Sequence, residues 1–200
     1  VVDLLCERAM VSVFPYDITL SSTIPIGKGM ASSTADCIAV AACVSRALGL
    51  SLSPQELGHI VSSIDPVDGV YLRGFALIEP ATGHLYDTFS PIPNGYMAIV
   101  DSGGVIDTIE LYEKSDAYTV EKSPEAISAL SMIRRDFSLR TLGKGATMSS
   151  LAHQKYIVKP KLEALIEKST SMGAVGVVTA HSGTVCGIVF EGVPSVHAAC

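Results

Sequence analysis

The stretch Pro25-Ile26-Gly27-Lys28-Gly29-Met30-Ala31-Ser32-Ser33-Thr34-Ala35-Asp36 decides how the rest of this sequence is interpreted. Its glycines permit a tight turn and a close approach to a ligand, because they carry no Cβ. The residues that follow favour a helix, whose first peptide N–H groups lack intrahelical partners and lie at the positive end of the helix dipole. A glycine-rich loop that leads into a helix is suited to bind an anion such as phosphate. The alternative is an ordinary loop followed by a capped helix.

Three consecutive hydroxyl residues, Ser32, Ser33 and Thr34, add polar groups to the start of this helix. Their hydroxyls can cap the helix, contact phosphate oxygens or bind a magnesium ion. The spacing differs from that of a Walker loop, because no Gly-Lys-Ser/Thr sequence closes it.

A second informative stretch, Ile64-Asp65-Pro66-Val67-Asp68-Gly69, follows the next predicted helix. Pro66 disfavours helical geometry at Asp65, and Gly69 permits a turn, so two carboxylates are expected on one tight loop. One interpretation is an Asx-turn with solvated acids. The other is catalytic, since phosphoryl transfer uses a carboxylate to orient the attacking hydroxyl, and often another to hold magnesium.

The composition argues against several classes of function. The chain has 200 residues, of which 48% are hydrophobic and 17% charged, and its net charge is −6. Without a long basic run, this balance argues against binding to nucleic acid or to an anionic membrane. The apolar runs stop well short of the roughly 18 residues that a membrane span needs. The cysteines show no CxxC spacing and are predicted to be buried thiols in the cytoplasm, without disulfides or zinc; they are Cys6, Cys37, Cys43, Cys186 and Cys200.

The hydrophobic periodicity predicts an α+β chain with two halves. Pro91-Ile92-Pro93-Asn94-Gly95 is the best candidate for a boundary, so we expect domains at 1–90 and 91–200. Because the chain starts inside an amphipathic helical pattern, we expect it to be a piece of a longer protein. The helices are predicted at about 1–10 and 31–48 and to begin at 54, 124 and 160. The strands are predicted at 17–22, 71–79, 84–89, 96–100 (buried), 174–179 and 184–190.

The pattern Pro-x-x-x-Gly-x-x-Ser-Ser-Thr-Ala, from Pro25 to Ala35, resembles the phosphate loop of the GHMP small-molecule kinases. Its wording from Gly27 to Asp36 is most similar to the L-threonine kinase group of adenosylcobalamin synthesis, as is the Asp-Ser-Gly-Gly-x-x-Asp-Thr sequence over 101–108. The resemblance implies a two-layer GHMP-kinase-like fold, with an N-terminal phosphate-loop half and a C-terminal ferredoxin-like half, each incomplete at its outer end.

The resemblance also implies ATP and magnesium as cofactors and assigns roles to residues. Asp68 matches the catalytic aspartate, and Lys28 would neutralise developing charge, unless it is a solvated loop lysine. Ser33 and Asp65 would hold magnesium, although Asp65 stands where the threonine kinases tend to have glutamate. The nucleotide-binding residues would be Pro25, Gly27, Lys28, Gly29, Met30, Ala31, Ser32, Ser33 and Thr34.

A third family motif is matched by Thr179-Ala180-His181-Ser182-Gly183-Thr184-Val185-Cys186, which lacks most of the family's glycines. The resemblance assigns to Ser182 and Gly183 the role of bracing the phosphate loop. His181 is also consistent with an ordinary solvated loop histidine.

The function implied is an ATP-dependent kinase acting on the hydroxyl of a small metabolite, a hydroxy-amino acid and above all L-threonine. Homoserine kinase or another GHMP kinase is an alternative within the family, and a non-catalytic nucleotide- or metabolite-binding module is an alternative outside it. We expect a cytoplasmic protein with no nucleic acid or membrane partner; a homodimer is left open.

Overall fold

The computed structural model describes residues 1–104, 123–155 and 157–193 of the chain. Two compact units are present. The first contains Val1–Pro25 and Ala31–Ile92, and the second contains Ile26–Met30 and the residues from Pro93 onward. Both units contain helices and strands, so the predicted α+β class is confirmed. Its assignment to the two halves of a GHMP kinase stays a prediction.

The first unit is built on three helices, α1 (Val2–Arg8), α2 (Ser32–Ala47) and α3 (Pro54–Ser62). Their buried apolar side chains form one cluster with Val67 of the loop at 64–69, called the acidic loop because it carries Asp65 and Asp68. The members of this cluster are Leu5, Ala41, Val44, Val61 and Val67. The acidic loop is therefore anchored to the helices by a buried valine that lies between its two aspartates.

The ends of α2 and α3 follow from local sequence. Gly49 has a φ of 71°, and the N–H of Leu50 donates to the carbonyl of Ser45 at 2.8 Å, which forms a Schellman motif at the end of α2. At the start of α3, Ser53 and Glu56 form the predicted capping box. These contacts fix where α2 stops and α3 starts.

A hairpin of β1 (Phe75–Glu79) and β2 (His84–Phe89) completes the first unit, and its strands pair antiparallel as predicted. A strand at 17–22 was also predicted, and that prediction is wrong: this segment has no regular structure. Ile18 and Leu20 are exposed. A strand needs a neighbour for its backbone hydrogen bonds, and no described strand pairs with this segment.

The second unit contains a three-stranded antiparallel sheet of β3 (Tyr96–Asp101), β4 (Gly176–Thr179) and β5 (Val185–Phe190). The strand order is β3-β5-β4. In the part of this unit that the structure describes, three helices accompany the sheet: α4 (Pro124–Arg135), α5 (Leu139–His153) and α6 (Leu162–Ser171). Glycines at 143 in α5 and 176 in β4 let the two backbones meet without intervening side chains.

Two expectations about burial are corrected. The strand at 96–100 was predicted to be buried, yet its large side chains are 40–54% exposed, because β3 pairs on only one side among the described strands. The cysteines were predicted to be buried thiols, but Cys43 is exposed and Cys37 only half-buried; Cys6 and Cys186 are buried. Cys200 and the end of the 101–108 stretch lie outside the described residues.

Within the described ranges, no helix combines the length and the apolar character needed to cross a membrane.

Candidate functional site

The start of α2 lacks the side-chain cap that its sequence suggested. The N-cap residue is Ala31, in the left-handed conformation with a φ of 59°, and it has no side chain that can accept a hydrogen bond. A left-handed φ is uncommon for a residue other than glycine and costs roughly 1–2 kcal/mol. The first-turn amides of α2 are therefore not used in side-chain capping, so they suit an anionic ligand.

The hydroxyls of the first turn instead contact the acidic loop within the same unit. Ser33 Oγ donates to Asp65 Oδ2 at 2.6 Å. Thr34, which is buried, accepts with its Oγ1 a hydrogen bond from the backbone N–H of Asp68 at 3.1 Å. These two contacts hold both aspartates at the start of α2.

Asp68 lies immediately before a single 3₁₀ turn, Gly69–Tyr71. Its backbone is extended, and its side chain makes no cap hydrogen bond to that turn. The Asx-turn interpretation of Asp68 and the catalytic one both stay predictions. The buried Val67 and the bond to Thr34 position the backbone, while the residue as a whole remains exposed.

The predicted nucleotide-binding residues are divided between the units. Pro25 and 31–34 lie in the first unit, whereas 27–30 lie in the second. Gly27 and Gly29 have φ values of 69° and 78°, a region that favours glycine. Met30 is 42% exposed.

Within the second unit, the third-motif loop contacts the phosphate-loop segment 26–30. The N–H groups of Thr184 and Val185 donate to the carbonyl of Lys28 at 3.1 and 3.3 Å. Gly183 lies so close to the backbone of Lys28 and Gly29 that a Cβ at this position would overlap it. Gly183 and the two residues after it therefore hold the phosphate loop through backbone contacts.

The side chain of Lys28 is not a solvated loop lysine. Its ammonium lies 2.7 Å from Asp101 Oδ2 and donates to the carbonyl of Gly104 at 2.6 Å. Asp101 Oδ1 in turn accepts hydrogen bonds from Thr184 Oγ1 at 2.6 Å and from the N–H of Gly103 at 3.0 Å.

These hydrogen bonds, with that of Lys28 contributing most, lower the pKa of Asp101 from 3.8 to about 2. The carboxylate is therefore ionised at neutral pH. Any stability that it contributes is present above pH 3.8 and is lost as the pH falls through 2.

Lys159 is a second lysine near this loop, and sequence reasoning missed it. It is only 4% exposed, its ammonium donates to the carbonyl of Gly183, and burial lowers its pKa. The side chain of Gln154 forms hydrogen bonds with the backbone N–H and the backbone carbonyl of Lys159. The sequence around Lys159 carries no motif that could have indicated its contact with Gly183.

His153 and His181 stack in the same region, with ring centroids 4.6 Å apart and an interplanar angle of 7°. Burial, with smaller contributions from His181 and Lys159, lowers the pKa of His153 from 6.5 to about 4. His153 is therefore neutral at physiological pH.

The oxygen donors at the start of α2 fit a magnesium ion. Magnesium prefers oxygen ligands and is commonly held by one or two carboxylates together with substrate phosphates and water. Asp65 and Ser33 provide a carboxylate and a hydroxyl in direct contact. No group of three or more His, Cys, Asp or Glu side chains suited to hold a metal occurs among the described residues. This pair is the type of site that depends on ligand phosphates to complete the coordination.

A family of known proteins matches the part of the chain that contains the start of α2 and both aspartates. Residues 1–71 match the family GHMP kinases N terminal domain. Residues 1–71 are thus similar to the GHMP kinase N-terminal domain. These residues include the 25–36 loop, α2, α3 and both aspartates of the acidic loop. The resemblance first noted on the loop is thereby confirmed.

The relatives of this chain include enzymes named for different substrates. The L-threonine kinase of Citrobacter freundii is 27% identical over 181 residues, which cover 87% of this chain and 62% of that protein. The mevalonate kinase of Pyrococcus horikoshii is 30% identical over 172 residues, covering 78% of this chain and 50% of that protein. The chain thus spans between half and two thirds of the length of these two relatives.

Among solved structures, the chain is similar to the crystal structure of mevalonate kinase from methicillin-resistant Staphylococcus aureus MRSA252. The alignment covers 98% of this chain and 70% of the mevalonate kinase chain. The TM-score is 0.49 and the sequence identity 18%.

Proposed function

We propose that the protein is an ATP-dependent kinase that transfers the γ-phosphoryl group to the hydroxyl of a small metabolite, with L-threonine as the first candidate acceptor. The observation that carries this proposal is the contact between the start of α2 and the acidic loop, where Ser33 meets Asp65 and Thr34 holds Asp68. A hydroxyl and two carboxylates beside uncapped helix amides are the groups that phosphoryl transfer requires.

In this mechanism, the backbone amides from Gly27 to Ser33 bind the nucleotide phosphates. Ser33 and Asp65 would hold magnesium, which would neutralise phosphate charge. Asp68 orients the acceptor hydroxyl and accepts its proton. Lys28 stabilises the negative charge that develops during transfer.

The choice of acceptor rests on relatives alone. The match to an L-threonine kinase favours a hydroxy-amino acid and the formation of O-phospho-L-threonine, the expected route into cobalamin synthesis. The match to a mevalonate kinase makes mevalonate the second candidate. Homoserine is less favoured, because the homoserine kinases are thought to work without a catalytic aspartate and Asp68 would then have no role.

The test is to incubate the full-length protein with ATP, magnesium and single acceptors, and to detect phosphorylated product by mass spectrometry. The panel contains L-threonine, D-threonine, L-serine, L-homoserine and mevalonate. We expect product from L-threonine at the highest kcat/KM. Product from mevalonate alone would support the proposed kinase activity and would identify mevalonate, not L-threonine, as its acceptor. ATP binding without any phosphorylated acceptor would favour the non-catalytic module.

The magnesium assignment predicts that Ser33→Ala and Asp65→Asn each raise the magnesium concentration needed for half-maximal activity. We expect an increase of about 10-fold or more, because even indirect support of a metal ligand is worth 10–100-fold in affinity. The folds should persist, since Ala31 and not Ser33 is the N-cap residue of α2. Activity is titrated with magnesium at fixed ATP, and thermal melting is recorded for each variant.

Ser51→Ala is the matched control, because Ser51 is an exposed serine of the same unit. Its magnesium titration should match that of the wild type. An unchanged titration for both Ser33→Ala and Asp65→Asn would exclude them as magnesium ligands.

A further inference from the structure

Asp101 ends β3 and joins three separate parts of the second unit. Its Oδ2 pairs with the Lys28 ammonium at 2.7 Å, and its Oδ1 accepts from Thr184 Oγ1 at 2.6 Å. The backbone N–H of Gly103 donates to the same Oδ1 at 3.0 Å. The carboxylate therefore connects the phosphate loop, the end of β3 and the residue that precedes β5.

Lys28 is held at both its backbone and its side chain. Its carbonyl accepts from Thr184 and Val185, which fixes the peptide. Its ammonium is fixed by Asp101 and by the carbonyl of Gly104, and the side chain is 20% exposed. An ammonium has three donors, and the described residues provide these two acceptors for it.

A lysine in a loop otherwise samples many rotamers, and ordering a long charged side chain has an entropic cost. Contact with a fixed carboxylate removes that freedom before any ligand arrives. The Thr184 hydroxyl donates to Asp101 Oδ1 and so holds that carboxylate in the orientation in which it contacts Lys28.

We propose that Asp101 is a positioning residue, which holds the Lys28 ammonium in the place where it acts on the transferred phosphoryl group. The proposal rests on the proposed function and adds to it a residue that does not itself touch the substrate. Thr184 orients Asp101 and belongs to the same network.

The opposite role is that Asp101 restrains Lys28 away from the phosphates. The two roles predict effects of opposite sign. Positioning predicts that loss of the carboxylate lowers turnover, whereas restraint predicts that it raises turnover. A purely structural role predicts a lower melting temperature with an unchanged kcat in the folded fraction.

The experiment is a double-mutant cycle on kcat with Lys28→Met, Asp101→Asn and the double variant of the full-length protein. We expect Asp101→Asn to lower kcat about 10-fold, the effect of losing one hydrogen bond to a charged group, while the KM for MgATP stays within about twofold. In the Lys28→Met background, the same change should have no further effect. Asp101→Glu keeps the charge and should recover part of the loss.

Glu163→Gln is the matched control, because Glu163 is an exposed carboxylate on α6 of the same unit. It should leave kcat unchanged. A rise in kcat for Asp101→Asn, an unchanged kcat for Lys28→Met, or effects that multiply in the double variant would each overturn the proposal.

Amide hydrogen exchange provides a readout that does not need turnover. Peptides covering 26–30 and 182–187 should exchange faster in Asp101→Asn and in Lys28→Met than in the wild type, because the bonds of Thr184 and Val185 to Lys28 are loosened. A wild type that phosphorylates none of the acceptors would count against the proposed function. Unchanged exchange in Asp101→Asn would count against the role of Asp101.

Discussion

Replacing Asp68 by asparagine is expected to lower kcat by about 10²–10⁴-fold, the usual contribution of positioned proton transfer. The KM for ATP should change little, because the proposed mechanism assigns nucleotide binding to loop and helix amides and not to this carboxylate. The melting temperature is the second readout, because a purely structural role of the Asp68 side chain would lower it and leave kcat unchanged in the folded fraction. Steady-state kinetics with the accepted substrate, combined with thermal melting, measures all three quantities.

The control for Asp68→Asn is Asp17→Asn, which neutralises an exposed aspartate elsewhere in the first unit. It should leave both kcat and melting temperature unchanged. A normal kcat in Asp68→Asn would exclude this carboxylate as the proton acceptor and return base-free transfer of the homoserine-kinase type to first place.

Gly183→Ala is the second change with a large expected effect. A Cβ at this position would overlap the backbone of Lys28 and Gly29, so one of the two loops of the second unit must move. A misplacement of about 1 Å in a group that positions the reaction can cost on the order of 10²-fold in rate. We expect kcat/KM for MgATP to fall by about that factor, with part of the loss in KM because the proposed mechanism assigns nucleotide binding to the loop amides.

Gly192→Ala is the control for this substitution. Gly192 has no neighbour within 4 Å of a built Cβ, so an added methyl group meets only open space. Its kinetics should equal those of the wild type. If Gly183→Ala kept full kcat/KM with a normal melting temperature, the close contact between the two loops would not matter for nucleotide use.

Features encoded within a few residues were predictable from the sequence. The capping box of Ser53 and Glu56, the glycine that ends α2 and the hairpin after the acidic loop all depend on neighbours in the chain. The loop at 25–36 carries a sequence motif that is specific to a family, and residues 1–71 match that family.

Contacts between distant residues were not predictable in this way. The alternation at 17–22 satisfied the local rule for a strand, but pairing depends on whether a neighbour exists. The ion pair of Lys28 with Asp101, and the buried Lys159, join residues far apart in sequence. The roles of Asp65 and Asp68 remain predictions, supported by their contacts with Ser33 and Thr34.

The contacts of Lys28 have a consequence for the order of folding. Its partners in the second unit, Asp101 and Thr184, come much later in the chain. During synthesis, Thr184 is added about 150 residues after Lys28, which at roughly 5–20 residues per second is a delay of about 8 to 30 seconds. Long-range contacts of this kind also form slowly, because a large chain loop must close first. A nascent chain therefore cannot make its Lys28–Thr184 contacts until the second unit has been synthesised as far as β5.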